Sequence, residues 1–197
     1  ETGRVLDALR PVFPQFVAAP DVLKTSLDNI GAVLHPGPTI LNAARIESTH
    51  GDFEYYHEGI TPAVGRILEA LDAERVAVAR ALGVDAMTCL EWFAAAYGAE
   101  AESLHEAVLI NEGYKGIMAP SNLHHRYIFE DIPASLVPLA SIGEMLGVPT
   151  PTIRNLVHLA SLIHGVDYWE QGRTVQTLGI AGMTPEEIRK LAREGRG

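Results

Sequence analysis

The sequence predicts an all-α fold, a multi-helix domain of about seven to nine helices. Three observations carry that expectation. Apolar residues recur at helical spacing over long stretches, as in Val64, Ile67, Leu68, Leu71, Val78 and Leu82. Threonine-proline pairs and glycines bracket those stretches as helix caps do. No segment alternates apolar and polar residues with the period of two that a half-buried strand needs, and β-branched clusters are few.

Taken in chain order, Arg4 to Phe13 reads as a short helix. Residues 1–20 are assigned to the tail of a preceding domain or a linker, and 21–197 to one helical domain. Asp21 to Leu34 reads as helix, and Pro36 and Pro38 must kink or break it because proline lacks the amide donor. Ile40 to Ile46 resumes it. Glu47 to Ile60 reads as loop. Thr61-Pro62 opens a long helix to Leu82, with Gly83 as its stop. Asn111 to Glu130 reads as loop. Asp131 to Leu146 carries the stripe Ile132, Leu136, Leu139 and Leu146, closed by Gly147. Thr150-Pro151 opens a helix through Ile153, Leu156, Val157, Ala160 and Ile163, ended by Gly165. Asp167 to Gly182 reads as loop, and Thr184-Pro185-Glu186-Glu187 opens a last helix with acids in its first turn.

A chain of 197 residues is long enough to bury a core as one domain or two small ones. The 47% apolar and 20% charged composition is that of a globular protein and argues against disorder. A formal charge of −10 argues against non-specific nucleic-acid binding, which needs a basic surface, but leaves room for local arginines to hold an anionic substrate. No apolar run is long enough to span a membrane and no signal peptide is visible, so no membrane partner is expected and the location reads as cytoplasmic. The single cysteine, Cys89, rules out an internal disulfide, and its apolar setting reads as a buried inert thiol. The first residue is Glu1 rather than Met, which reads as a processed chain or a piece of a longer one.

Several common machineries are missing. No Gly-x-Gly-x-x-Gly follows a strand and no Walker-type loop is present, so a dinucleotide's phosphates would have to be held elsewhere. No Cys-x-x-Cys or His-Glu-x-x-His pattern occurs. His124 and His125 are adjacent, and His158 and His164 are six apart, so no metal site is expected.

The most informative stretch is Val33-Leu34-His35-Pro36-Gly37-Pro38-Thr39-Ile40-Leu41-Asn42. A histidine at a break in an apolar helical run is exposed on one side and braced on the other. That suits a proton-transfer group, because imidazole titrates near neutral pH. A helix-end histidine satisfied by backbone fits the same letters.

Four blocks resemble the octopine/nopaline (opine) dehydrogenases. They are Lys24-Thr25-Ser26-Leu27-Asp28-Asn29 running into Leu34-His35-Pro36-Gly37-Pro38; Phe53 through Val64, followed by Leu71 to Arg75; Arg126-Tyr127-Ile128-Phe129-Glu130-Asp131-Ile132-Pro133; and Gly147-Val148-Pro149-Thr150-Pro151 with Gly172-Arg173-Thr174. They come in the family's order and cover the chain from about Val22. The resemblance implies a helical catalytic domain like the C-terminal domain of 6-phosphogluconate dehydrogenase-like enzymes, with the N-terminal Rossmann domain absent from this chain. It implies reductive condensation of an amino acid with a 2-keto acid, using NAD or NADP bound mainly by that Rossmann domain. Expected partners are the two substrates, the Rossmann domain and, as one option, a second copy of the chain.

The resemblance also assigns residues. His35 is the catalytic histidine and Asp131 its carboxylate partner, although an aspartate before Ile-Pro is equally a helix N-cap. Arg126 is the substrate arginine, gripping a carboxylate through paired hydrogen bonds; a surface pair with Glu130 is the plainer reading. Asn29 is read as a hydrogen-bonding partner of substrate or of the nicotinamide amide, against an ordinary polar helix position. Tyr56, Thr61 and Arg173 match the blocks without a role. Two alternatives stay open: a 2-hydroxyacid or ketopantoate-like reductase with Lys24 as acid beside Asn29, and a non-catalytic helical dimerisation module.

Overall fold

The computed structural model describes residues 1–195. Helices α1 (Thr2–Leu9), α2 (Val22–Leu27), α3 (Gly31–Leu34), α4 (Pro36–Leu41) and α5 (Ala43–Thr49) are short. Then follow α6 (Pro62–Ala81), α7 (Cys89–Tyr97), α8 (Leu104–Ile110), α9 (Arg126–Phe129), α10 (Val137–Leu146), α11 (Pro151–His164), α12 (Tyr168–Gln171) and α13 (Pro185–Glu194). Among the described residues no strand forms; one isolated antiparallel bridge joins Glu54 to Met118. Nor is any helix of the described residues long and apolar enough to cross a membrane.

The segments outnumber the expectation because several are single turns. Asp21 to Leu34 is two helices, divided at Asp28–Ile30, and α9 and α12 lie inside stretches expected to be loop. Helices α7 and α8 had no apolar stripe to announce them. Their caps do: Thr88 and Glu91 form a reciprocal capping box, and the Ser103 hydroxyl accepts from the Glu106 amide.

Helix α6 is the central post, packed by α8, α10 and α11. It buries Leu68, Leu71, Val78 and Ala79, while Ile67, expected on the same stripe, is 37% exposed. Gly37 lets α4 meet it closely, since a Cβ there would stand 2.4 Å from a Leu68 methyl. At its end Gly83 takes a left-handed φ of +73°, the expected stop. Gly147 and Gly165 end α10 and α11 in the same left-handed conformation.

Two expected caps are replaced. Thr150 makes no side-chain cap for α11. The Glu74 carboxylate of α6 does so instead, accepting from the Thr152 and Ile153 amides at 2.8 and 2.9 Å. Asp131 caps nothing either. It already has helical φ and ψ, because the chain runs on from α9 through a π-helical turn, Ile132–Leu136, into α10. Pro133 and Pro138 explain that turn: neither can donate, so the ladder opens by a residue. The Val137 amide then bonds Ile132, and the carbonyl of Pro133 is left for the Arg173 amide at 2.9 Å.

Buried charge ties α2, α6 and α7 together. Arg75, 1% exposed, donates to Asp72 through Nε at 2.9 Å and Nη2 at 2.6 Å, and to the carbonyls of Leu27 and Met87. Asp72 in turn accepts from the Cys89 amide at 2.7 Å. Each guanidinium nitrogen and both Asp72 oxygens have a partner, which is the condition for burying the pair. Cys89 itself is buried, and burial pushes its thiol well above the usual range, so it is an unreactive packing group.

Candidate active site

His35 sits between α3 and α4, the C-cap of one and the N-cap of the next. Pro36 forces that junction, and α3 and α4 pack against the π turn and α9 respectively. The junction is held from below. The buried Tyr55 hydroxyl lies 2.5 Å from the His35 carbonyl, the Thr39 hydroxyl 2.7 Å from it, and the two hydroxyls 2.7 Å from each other. Burial holds the Tyr55 phenol well above its usual range, so it stays a protonated donor.

The His35 ring meets Asp131, Nδ1 to Oδ2 at 3.1 Å. Both side chains are mostly covered, 25% and 11% exposed. With no helix amide to cap, the carboxylate is free for the imidazole, and it fixes Nδ1 as the protonated nitrogen. Nε2 is then the nitrogen left for chemistry. Tyr127 stacks on the ring, centroids 4.2 Å apart and planes 13° from parallel. Behind it, His125 meets Tyr127 edge-on at 4.4 Å and caps α9, its Nδ1 accepting from the Tyr127 amide at 3.4 Å. Burial first, and then Arg126 and His35, lower the His125 pKa, which suits an acceptor that must stay neutral.

Gly31 leaves the room the ring needs. A Cβ there would stand 3.0 Å from Asn29 Oδ1 and 3.1 Å from His35 Cε1. His35 opens into a pocket of about 320 Å³ lined also by Asn29, Gly31, Tyr56, Trp92 and Tyr114. Tyr56 and Tyr114 stack at 4.1 Å to form a flat wall. Asn29 accepts from the Gly31 amide at 3.1 Å, which turns its Nδ2 toward Ser135 Oγ, 3.5 Å away. A second, larger cleft of about 510 Å³ is also lined by Asn29, together with Ser135.

Of the four residues singled out from sequence, His35, Asp131 and Asn29 come together. Arg126 stands one turn before Asp131 but lines neither pocket. It holds Glu130 through Nε at 3.1 Å and Nη2 at 3.3 Å, with both side chains more than half exposed. Lys24, the alternative acid, is taken up by Asp28 at 2.6 Å and the Asp85 carbonyl at 2.5 Å. Tyr127, Thr39, Tyr55 and Ser135 were not marked by spacing. Among the described residues, no group of three or more His, Cys, Asp or Glu side chains is placed to hold a metal ion.

The family model described as the NAD/NADP octopine/nopaline dehydrogenase, alpha-helical domain, matches residues 18–164. The chain belongs to this family. An opine dehydrogenase from Arthrobacter sp. (strain 1C) is 45% identical over 189 residues, which is 96% of this chain and 52% of that protein. A vitopine synthase from Allorhizobium ampelinum is 28% identical over 169 residues, 85% of this chain and 47% of the relative. The chain thus spans about half the length of the curated relatives it matches. Among solved structures, octopine dehydrogenase in complex with NADH and agmatine superposes with a TM-score of 0.73 at 22% identity, covering 98% of this chain and 55% of that one. That likeness establishes the family's helical fold for this chain; the first three sequence blocks lie inside the matched region, and of the fourth, Gly147 to Pro151 lies inside it and Gly172 to Thr174 beyond it.

Proposed function

We propose that this chain is the substrate-binding and catalytic half of an NAD(P)-dependent opine dehydrogenase, which joins an amino acid to a 2-keto acid and reduces the product to a secondary amine dicarboxylate. The observation that carries the reading is the His35–Asp131 pair, brought to 3.1 Å across 96 positions of sequence and opening on a pocket. Condensation releases one water, and the reduction takes up one hydride and one proton. The nicotinamide supplies the hydride and is held mainly outside this chain. The open mouth of the His35 pocket and its flat Tyr56–Tyr114 wall fit a planar ring brought from there.

In this reading His35 Nε2 gives a proton to the oxygen or nitrogen that gains electron density, and takes it back in reverse. Asp131 holds the ring and stabilises its charged form. Asn29 offers its Nδ2 to substrate at the pocket edge. Arg126 takes a substrate carboxylate by releasing Glu130; an exposed i,i+4 pair is worth about 0.3–0.5 kcal/mol, so the exchange costs little. Residues 1–20 expose Val12, Phe13, Phe16 and Val17, which supports their packing against another part of the intact polypeptide.

The test is an assay of the intact protein with NADH or NADPH, pyruvate and a panel of amino acids, with mass-spectrometric detection of product. Cofactor oxidation that needs both the amine and the keto acid, yielding the secondary amine, is expected. Oxidation with keto acid alone, or none with any pair, contradicts the reading.

A further inference from the structure

We propose that the cleft of about 510 Å³ beside the His35 pocket seats an apolar substrate side chain, with Arg173 at its mouth to hold a carboxylate, so that the protein selects uncharged, apolar acids. The inference rests on the opine dehydrogenase reading and names the substrate class of that site. Three observations carry it.

The first is continuity. Asn29 lines both pockets, and Ser135 stands across from it on the π turn that follows Asp131. The cleft is therefore the cavity that adjoins the His35 pocket, the two meeting at Asn29. The volume leaves ample room for an amino-acid side chain, and clefts of this size with a few placed polar groups are the usual form of small-molecule sites.

The second is lining. Apolar side chains form most of the wall, among them Val22, Leu139, Ile142, Leu178, Ile180 and Ile188. The chain carries 25 acidic residues, yet none lines this cleft. A guanidinium or ammonium side chain placed there would lose its water and find no counter-charge, whereas an alkyl or aryl group would gain by leaving water.

The third is the cation. Two arginines reach the cleft. Arg75 has its donors taken by Asp72, Leu27 and Met87. Arg173 is exposed, and its guanidinium has no hydrogen bond or ion pair among the described residues. Its position is set by the backbone: the π turn frees the Pro133 carbonyl, and the Arg173 amide takes it. That places the guanidinium's stem two residues along from Asp131, and a fork of this kind suits a carboxylate.

The test uses the intact protein and two probes of equal length, hexanoate and 6-aminohexanoate, with binding read by calorimetry. Hexanoate should bind at least about tenfold more tightly than 6-aminohexanoate, a difference of about 1.4 kcal/mol. Arg173→Gln should weaken hexanoate by a similar factor. Ala192→Trp, which narrows the cleft from α13, should weaken it again. Equal binding of the two probes, no binding of either, or a hexanoate affinity indifferent to Arg173→Gln overturns the proposal. If Ala192→Trp disturbs folding, the exposed Arg173 variant still decides. Selective hexanoate binding by a protein with no condensation activity would remove the enzyme reading and keep the cleft. Condensation that uses apolar and cationic amino acids alike would do the reverse.

Discussion

Asp131 gives its carboxylate to His35 Nδ1 at 3.1 Å instead of to the helix in which it sits. The π turn after it makes this so. Because the chain is already helical at Asp131, no free amide lies within its reach, and the ring of His35 is the partner left. The same turn releases the Pro133 carbonyl to Arg173. One local irregularity, caused by Pro133 and Pro138, thus shapes both the dyad and the rim of the neighbouring cleft.

The buried Asp72–Arg75 pair holds the end of α2 and the start of α7 to α6. Arg75→Met leaves the buried Asp72 carboxylate without its counter-charge and frees the carbonyls of Leu27 and Met87. A loss of about 3–5 kcal/mol in urea unfolding is expected. A change under about 1 kcal/mol would show the knot is not under stress when halved.

Gly31→Ala adds a methyl 3.0–3.1 Å from Asn29 Oδ1 and His35 Cε1. The backbone there is helical, so the substitution adds no φ strain and the thermal midpoint should hold or rise slightly. With His35 in the proposed proton-transfer role, turnover should fall by about tenfold or more, since small displacements of a reacting group are costly. Parent-like turnover would mean the ring is not confined from that side.

Much of this was legible in the letters. The long helices, the breaks at Pro36 and the stops at Gly83, Gly147 and Gly165 follow from spacing and backbone chemistry. His35 stood out because a histidine before Pro-Gly-Pro interrupts an apolar run. The Asp131 contact was not legible from spacing, since no local rule links residues 96 apart; only the family blocks pointed to it. The π turn was missed because it depends on two prolines five positions apart acting on one ladder. Tyr127 was missed because its value lies in what it stacks on. Thr150 and Asp131 misled as caps for one reason: a residue type suited to a cap takes that role only where an open amide faces it, and Glu74 and the helical run-on removed the openings.

Tyr127 lies flat on His35 and braces it between Tyr55 and His125. Tyr127→Leu should lower turnover about tenfold by freeing the ring and removing an aromatic face from a charged imidazole. Tyr127→Phe keeps the face and should stay within about twofold. Equal losses for both would assign the effect to the hydroxyl.

His125 accepts from the Tyr127 amide through Nδ1, so it caps α9 only when neutral. Its pKa is lowered below 6.5 by burial, Arg126 and His35. The unfolded chain therefore takes up this proton at higher pH than the folded one. The contribution to stability is full above about pH 6.5 and is lost as pH falls through the lowered value. His125→Asn retains a capping oxygen and cannot titrate. Its unfolding free energy should fall less steeply than the parent's between about pH 7 and pH 5. Identical slopes would refute the link.

The most direct measurement is the steady-state turnover of the intact protein with His35→Ala and with Asp131→Asn, each checked for its fold by circular dichroism and thermal midpoint. The account predicts a loss of about a hundredfold or more for both, with secondary structure and cooperative melting retained. Turnover within about threefold of the parent for both variants would contradict it.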